Sequence, residues 1–255
     1  MSLIYDLEFF GFRFAAGSVV DLNWDESDDD SGDYYTVCRG KDAALAFETH
    51  ATELLKEFPG HELFLARGDK KTFRHEIWPA YKANRKSRRP PAGYGKTLAR
   101  MTELGKEKGW VTGGFPNIEA DDLIGLAATH STDVRVSDDK DMLTLPGLLY
   151  RNGELLTITE DEANKSFYAQ VLVGDTSDNY PGCKGIGEKN KLFESDEWLA
   201  ATTEPELWKL VLQQFEKAGF DEEFAITQAR CARILRPGEF DIESCTPHMW
   251  QPPVI

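Results

Sequence analysis

The sequence predicts an α/β fold in which a mainly parallel sheet is flanked by helices. Short apolar segments that suit buried strands alternate with longer segments whose apolar residues recur every three or four positions, as in helices. This alternation is typical of parallel sheets whose strands are connected by helices. Three of the strand segments end in aspartate, at Asp6, at Asp69 and at the pair Asp139 and Asp141. Because ligands of open α/β sheets bind at the carboxyl ends of the strands, these aspartates indicate where a site would lie.

The first half of the chain supplies three predicted strands and three predicted helices. The strands are SLIYDL at 2–7, DYYTVCR at 33–39 and HELFLARGD at 61–69. The helices are KDAALAFETHATELLKEF at 41–58, which a Pro-Gly pair ends, GYGKTLARMTELGKEKG at 93–109 and NIEADDLIGLAATHS at 117–131, with Asn117 as the predicted N-cap. The acidic segment DESDDDSGD at 25–33 fails the EF-hand pattern, since Gly32 in the sixth position would place Cys38 in the twelfth. We expect a solvated loop there.

The second half supplies a strand and several helices. DVRVSDDKD at 133–141 is the strand, EDEANKSFYAQVLVG at 160–174 is a helix, and two more helices are expected between about 205 and 236.

The 255 residues, 41% of them hydrophobic, suffice for a packed core. No apolar run approaches the roughly 20 residues of a membrane span, the start lacks a basic secretion-signal region, and the four cysteines form no CxxC pair. These features predict a cytoplasmic protein with reduced thiols and no membrane partner.

The charge of the chain is unevenly distributed. A net charge of −15 by itself argues against a nucleic-acid partner, because phosphates bind to basic surfaces. Residues 67–89, however, contain nine of the 29 Lys and Arg residues, opposed there only by Asp69 and Glu76. For binding a nucleic acid, the position of the positive charge therefore matters more than the net charge of the whole chain.

Acidic residues recur in short motifs that the predicted topology would gather at one edge of the sheet. The candidates are Asp6, Asp69, Glu119, Asp121, Asp122, Asp139, Asp141, Asp175 and Asp178. So many carboxylates in one place would repel one another without a counter-charge. Mg²⁺ prefers hard oxygen ligands, and two such ions about 4 Å apart can hold the attacking and leaving oxygens of a phosphodiester. The alternative for each single aspartate is a helix cap or a solvated surface group, and EADD alone could be favourable acidic charge in a first helical turn.

A glycine-rich loop, GCKGIGEK, directly follows Asp175 and Asp178. Gly182, Gly185 and Gly187 would let the backbone approach a phosphate, the helix expected after them would present its positive N-terminus, and Lys184 and Lys189 add charge. Such contacts would not depend on base sequence. A plain turn is the alternative.

A basic arm, AYKANRKSRRPP, supplies the second set of candidate DNA contacts. Lys82, Arg85, Lys86 and Arg89 would fall on one helical stripe, and Tyr81 is a candidate platform for base stacking. The alternative is a solvated basic face. The aromatic residue and the nearby Asp69 favour contact with a nucleic-acid backbone.

Together these motifs resemble the flap endonuclease and 5′-to-3′ exonuclease family. The resemblance spans Asp6 to about residue 193 and depends on EADD, SDDKDM and GDTSDNYPGCKGIGEK, while PAYKANRK, PPAGY and QARCARILR are most similar to the stand-alone bacteriophage 5′-exonucleases of gene-6 type. It implies a PIN-like catalytic region at 1–160, with a basic helical arch at about 72–110. A helical region with a helix–three-turn–helix DNA-binding motif follows at 161–255, in one compact unit. Leu7 stands where family members usually have Gly, and residues 238–255 match no known segment.

The resemblance also implies roles. Asp6, Asp69, Glu119, Asp121 and Asp122 match a first metal group, and Asp139, Asp141, Asp175 and Asp178 match a second. Lys82 and Arg85 match arch residues that contact the scissile phosphate, and Tyr81 matches a stacking residue. The implied cofactors are two Mg²⁺ ions, with Mn²⁺ as a substitute, and K⁺ at the Gly182–Gly187 loop. The implied location is the host cytoplasm for a phage-encoded chain.

The predicted function is therefore metal-dependent 5′-to-3′ exonuclease or flap-endonuclease hydrolysis of DNA, yielding 5′-phosphates in phage-type replication. The expected substrate is duplex DNA with a 5′ end or flap, and also RNA primers on DNA, with no small-molecule substrate. Two alternatives stay open: a non-catalytic DNA-binding module that uses the glycine loop, and a PIN-type ribonuclease.

Overall fold

The computed structural model describes residues 1–23, 34–87 and 89–255. The predicted acidic loop at 25–33 lies outside these residues. The strands are β1 (Ser2–Asp6), β2 (Val19–Asn23), β3 (Tyr34–Cys38), β4 (Glu62–Ala66), β5 (Val111–Gly113), β6 (Val134–Val136), β7 (Gly147–Arg151), β8 (Glu154–Ile158), β9 (Phe240–Asp241) and β10 (Thr246–Pro247). The α-helices are α1 (Leu7–Gly17), α2 (Gly40–Glu57), α3 (Arg74–Ile77), α4 (Tyr94–Glu107), α5 (Ala120–Ala127), α6 (Glu160–Val173), α7 (Asp196–Ala200), α8 (Glu204–Lys217) and α9 (Glu222–Ala232).

The central sheet confirms the predicted fold class. In the described part of the chain its strand order is β5-β4-β1-β6-β7-β8, and every neighbouring pair is parallel except β7 and β8. The register places Asp6 beside Ala66 and Tyr5 beside Val136, so β1, β4 and β6 end at the same edge. This edge is where the strand-ending aspartates were expected to meet.

Three hydrophobic clusters hold the elements in place. Tyr5, Phe47 and Met101 belong to a cluster under α1, α2 and α4 on one face of the sheet. A second cluster on the other face includes Ile4 and Ile124. A third surrounds Trp208 in the helical second half, and all six of these side chains are fully buried. Among the described helices, none combines the length and apolar character that a membrane crossing requires.

The segment 238–255, which the sequence left unassigned, packs on the helical half. Its β9–β10 hairpin leads to Trp250, which is 7% exposed and lies against Phe167, Tyr168 and Trp208. The Arg230 guanidinium donates to the backbone oxygen of Trp250 at 3.1 Å. The segment is therefore part of a hydrophobic core.

Helix caps explain several boundaries and correct one prediction. Thr159 and Glu162 form a capping box at α6, and Thr203 and Glu206 form one at α8. The predicted N-cap Asn117 is wrong: its φ of 69° lies in the left-handed region, and α5 begins after Glu119 instead. The cap lies two residues later because the Asp122 side chain accepts the Glu119 backbone N–H at 3.0 Å.

Two predicted helical features are also wrong. In its described residues the basic arm AYKANRKSRRPP forms a 3₁₀ turn, Ala83–Ser87, and no α-helix, and this turn is too short to form the expected stripe of cations. After the glycine loop the chain forms another 3₁₀ turn, Lys191–Glu194, before the five-residue α7, so no long helix presents its N-terminus to that loop. In both places the backbone conformation is set by contacts with the carboxylate edge or the helical core. The helical spacing of residues in the sequence therefore does not lead to a helix.

Candidate active site

The ends of β1 and β6 meet through a serine. Asp6 caps α1 by accepting the Phe9 N–H at 3.0 Å, and its other oxygen accepts the Ser137 hydroxyl at 2.8 Å. The same hydroxyl oxygen accepts the Asp139 N–H at 3.2 Å. Burial, together with the charges of Asp139 and Glu8, raises the pKa of Asp6 to about 7, although the hydrogen bonds from Phe9 and Ser137 act in the opposite direction.

Asp121 joins this group from the first turn of α5. Burial raises its pKa well above the ordinary range, and the charges of Asp6, Asp139 and Glu119 act in the same direction. Asp6, Asp121 and Asp139 come from three distant parts of the sequence. The structure therefore brings together three of the predicted metal-binding aspartates.

A second group lies next to the first. Burial raises the pKa of Asp141 to about 7, and Asp139, Asp175 and Asp178 contribute to the rise. The Asp175 carboxylate accepts the N–H groups of Ser177 at 2.5 Å and Asp178 at 3.0 Å, which fixes the start of the loop after α6. Asp139 thus acts on both groups, whereas the resemblance had assigned it only to the second.

Lys82 bridges the two sets of carboxylates. Its Nζ lies 2.6 Å from Glu119 Oε1 and 3.6 Å from Asp178 Oδ2. Its backbone N–H donates to the Asp178 carbonyl at 2.8 Å, and its φ of 54° is in the left-handed region. Burial would raise the pKa of Glu119, but Lys82 and then Arg74 outweigh it, so that this pKa is lowered.

Arg85 and Tyr81 also contact Asp178. The half-exposed Arg85 places Nη2 2.5 Å from Asp178 Oδ1. The prediction that Tyr81 stacks on bases is wrong, because its ring is 2% exposed and packs against Tyr180. Its hydroxyl donates to Asp178 at 2.8 Å and to Glu119 at 3.2 Å.

Asp122 is not available as a metal ligand, and its predicted role is wrong. Its side chain is fully buried, and both carboxylate oxygens accept from the Arg74 guanidinium, at 2.6 and 2.7 Å. The remaining acceptor positions take the backbone N–H groups of Glu119 and Leu235. An arginine 48 residues away in sequence thus decides the role of this aspartate.

Asp69 lies at the exposed rim of the edge. Its carboxylate accepts the N–H groups of Lys70 at 2.7 Å and Asn117 at 3.2 Å, and these bonds lower its pKa. The contacts described for Asp69 are with backbone groups, and the structure does not bring it into the group around Asp6. Glu8, which the sequence did not single out, lies closer to that group.

The Glu8 carboxylate accepts the Gly68 N–H at 3.0 Å. Burial raises its pKa, and the charges of Arg67, Glu119 and Lys82 act on it as well. Recognising α1 would have found it, because a helix capped by Asp6 places residue 8 in its first turn at the same sheet edge.

The glycine loop is split between a buried and an exposed part. Gly182 is buried, and its N–H donates to Gln228 at 3.0 Å, so its predicted phosphate contact is wrong. A Cβ there would lie 2.3 Å from the Gly174 nitrogen, which explains the glycine. The exposed residues of the loop are Lys184, Gly185, Gly187, Glu188 and Lys189, and Glu188 pairs with Lys140 at 3.0 Å. Arg89 in the arm is exposed too, whereas the side chain of Lys86 lies outside the described part.

The carboxylate oxygens of the candidate site are the kind of ligand that a hard divalent cation prefers. Among the described residues no lysine or arginine forms an ion pair with Asp6, Asp121, Asp139 or Asp141. In the same part of the chain, no three acidic, histidine or cysteine side chains converge closely enough to enclose an ion by themselves. Mg²⁺ keeps several waters and needs only one or two protein carboxylates, so an open arrangement of oxygens is compatible with it.

Comparisons with known proteins show the family to which the chain belongs. Residues 39–168 match the family model described as 5′-3′ exonuclease, N-terminal resolvase-like domain. The chain is 29% identical to the exonuclease of Escherichia phage T7, over 98% of this chain and 93% of that protein. It is 27% identical to the exodeoxyribonuclease of Enterobacteria phage T3, over 98% and 92%.

Solved structures share the fold at lower identity. T5 5′-exonuclease with bound zinc ions superposes with a TM-score of 0.58 at 19% identity, over 91% of this chain and 93% of that one. T5 flap endonuclease in complex with DNA and metal ions gives 0.55 at 18% identity, over 89% and 86%.

Proposed function

This chain belongs to the 5′-3′ exonuclease family and is therefore a nuclease, and we propose that it uses divalent metal ions to hydrolyse DNA at a 5′ end or 5′ flap. The observation that carries the proposal is a group of buried or half-buried aspartates, Asp6, Asp121, Asp139 and Asp141, next to Lys82 and Arg85. In the described part of the chain, no lysine or arginine forms an ion pair with them. The phage T7 and T3 relatives named as exonucleases support a role in phage DNA replication. Action in the host cytoplasm, and on RNA primers paired to DNA, is part of this proposal.

Two sets of oxygens would hold the metal ions. Asp6, Asp121 and Asp139 would hold one of them, with Glu119 at its side, and Asp141, Asp175 and Asp178 would hold the other. When bound, such ions lower the pKa of a coordinated water and stabilise negative charge on phosphate oxygens. Asp69 at the rim would contribute through water. Mg²⁺ is the proposed physiological ion, with Mn²⁺ as a substitute.

Lys82 and Arg85 would hold the scissile phosphate. Both cations now neutralise Glu119 and Asp178, and both reach the site from the basic arm. A phosphate placed between them and the aspartates would accept their N–H groups in exchange for the carboxylates. Donors fixed where charge develops in the transition state are a large contribution to catalysis.

The exposed part of the glycine loop would grip the duplex away from the scissile bond. Lys184 and Lys189 project from a turn near Gly185, where a backbone can approach closely. Contacts of this kind are to phosphates and do not depend on base sequence. A K⁺ ion at this loop is part of the proposal, and replacing K⁺ by Na⁺ in a DNA-binding titration tests it.

A labelled 5′-flap duplex incubated with the protein separates the proposal from its alternatives. We expect release of 5′-phosphorylated products with Mg²⁺, and none after addition of a chelator. Binding without cleavage at any metal concentration would indicate a DNA-binding module. Preference for single-stranded RNA over the flap would indicate a PIN-type ribonuclease.

A further inference from the structure

A buried ion pair lies directly behind the carboxylates of the proposed site. Arg74 Nη1 and Nη2 donate to Asp122 Oδ2 and Oδ1 at 2.6 and 2.7 Å, and the side chains are 3% and 0% exposed. This two-pronged geometry fixes the relative orientation of both side chains, because the guanidinium and the carboxylate are planar.

The pair connects three parts of the chain. Arg74 lies on α3, at the base of the basic arm, and also donates to the carbonyl oxygens of Cys231 and Arg233. Asp122 lies on α5 and accepts the Leu235 N–H at 3.1 Å. The chain that leaves α9 is thus wrapped around the pair. The arm, the helix that carries the site aspartate and the helical half meet at this point.

The same pair sets the position of two site carboxylates. Asp122 Oδ2 accepts the Glu119 N–H at 3.0 Å and so defines where α5 begins. Arg74 Nη1 lies 3.9 Å from Glu119 Oε2, on the side of that carboxylate away from Lys82. Asp121 stands between Glu119 and Asp122 in the same turn. A small rotation of the start of α5 would therefore move both Glu119 and Asp121.

Stability alone is a weak reason for such a pair. Buried ion pairs are often no more stabilising than well-packed apolar residues of similar volume, although removing one partner alone is costly. We propose that Arg74 and Asp122 are positioning residues, which fix the first turn of α5 so that Glu119 and Asp121 are placed for metal binding. This inference depends on the proposed function, since it assigns the pair to the metal site of the nuclease.

The test compares R74M/D122L, which replaces the pair by apolar side chains, with wild-type protein. Thermal unfolding reports the fold, Ca²⁺ titration by calorimetry without DNA reports the metal site, and flap cleavage gives kcat and KM. We expect a melting temperature within a few degrees of wild type, Ca²⁺ affinity at least about tenfold weaker, kcat at least about 100-fold lower and KM within about threefold. Hydrogen exchange at residues 119–123 should become faster without metal.

Two further variants complete the test, one with a milder change at Arg74 and one as a control at an exposed ion pair. R74K keeps the charge but loses the paired geometry, so Ca²⁺ affinity and kcat should fall between wild type and R74M/D122L, and it decides the question if the double variant does not fold. R100M/E107L removes an exposed ion pair of 2.7 Å on α4 and should change neither quantity.

Folded R74M/D122L with wild-type Ca²⁺ affinity and kcat would overturn the inference, and so would folded R74K with both unchanged. Failure of the wild-type protein itself to bind Ca²⁺ or cleave the flap would instead overturn the proposed function.

Discussion

The Lys82 ammonium lies 2.6 Å from the Glu119 carboxylate, which links the arm to the start of α5 across the proposed active site. The contact is formed from a strained backbone, since Lys82 has a φ of 54°. Non-glycine residues rarely adopt this conformation, and strain of this kind often marks functional positions. The lysine is thus held in place by its own N–H bond to Asp178 as well as by its side chain.

Replacing Lys82 by alanine should slow flap cleavage by at least about 100-fold, because a fixed cation is lost from the position of the scissile phosphate. The melting temperature should change by only a few degrees, since Arg74 and Arg85 still lie beside the two carboxylates with which Lys82 pairs. Single-turnover kinetics and thermal unfolding check both expectations, with the exposed Lys71 replaced by alanine as control. A collapse of the melting temperature would show that Lys82 has a structural role.

Replacing Asp139 by asparagine should abolish cleavage and leave DNA binding largely intact. Asp139 lies between the two carboxylate groups, and an amide cannot supply the negative charge that a divalent ion requires. Gel-shift titration in Ca²⁺ measures binding separately from turnover. Undiminished cleavage by the variant would contradict the assignment.

The metal-free protein should lose stability as the pH rises from about 4 to about 7. Asp6 and Asp141 have pKa values of about 7 in the folded chain, while unfolded aspartate has a pKa near 3.9. The folded state therefore holds more protons in this window, and the free energy of unfolding falls as they are released. Urea unfolding with chelator at pH 5 and 7.5 measures the slope.

Asp141→Asn should flatten this pH dependence, because one of the two titrating carboxyls is removed. Saturating Ca²⁺ should restore stability at pH 7.5 more than at pH 5, since the ion competes with the protons for the same oxygens. An equal effect of Ca²⁺ at both pH values would mean that these carboxyls are not its ligands.

Replacing Gly182 by alanine should destabilise the fold by more than about 2 kcal/mol. Its φ is 63°, and the new Cβ would lie 2.3 Å from the Gly174 backbone nitrogen. Gly187→Ala is the matched control, because a Cβ there meets nothing within 4 Å, and it should change stability by less than about 0.5 kcal/mol. Chemical unfolding of the two variants tests the contrast, and equal costs would contradict it.

Lys184→Ala and Lys189→Ala should weaken DNA binding equally for all sequences. Each lost phosphate contact should reduce the slope of log affinity against log salt by about 0.9. Fluorescence anisotropy at several salt concentrations, on two duplexes of unrelated sequence, measures both properties. An unchanged slope would show that these lysines do not contact the backbone.

The sequence was sufficient to predict that Asp6 and Asp139 lie at one edge of the sheet, because strand order alone determines this. Asp6 and Asp139 end neighbouring parallel strands, and their carboxylates had to meet at one sheet edge. Their grouping therefore follows from strand order without knowledge of any side-chain contact.

The individual roles could not be predicted in the same way. Asp122 and Asp121 are adjacent and chemically identical, yet only Asp122 faces Arg74, and that contact depends on how α3 packs against α9. Tyr81 was expected at the surface because it precedes a basic run, but its ring fills a core whose other members lie beyond residue 166. Long-range packing, which local pattern does not encode, decided both cases.

The burial of Trp250 has a consequence for how the protein is made. All strands of the described central sheet precede residue 159, so a ribosome supplies them well before it reaches this tryptophan. The core around Trp208 cannot close until Trp250 has been translated and has left the exit tunnel. The central sheet can thus form during synthesis, whereas the helical half, which carries Asp175 and Asp178, is completed afterwards.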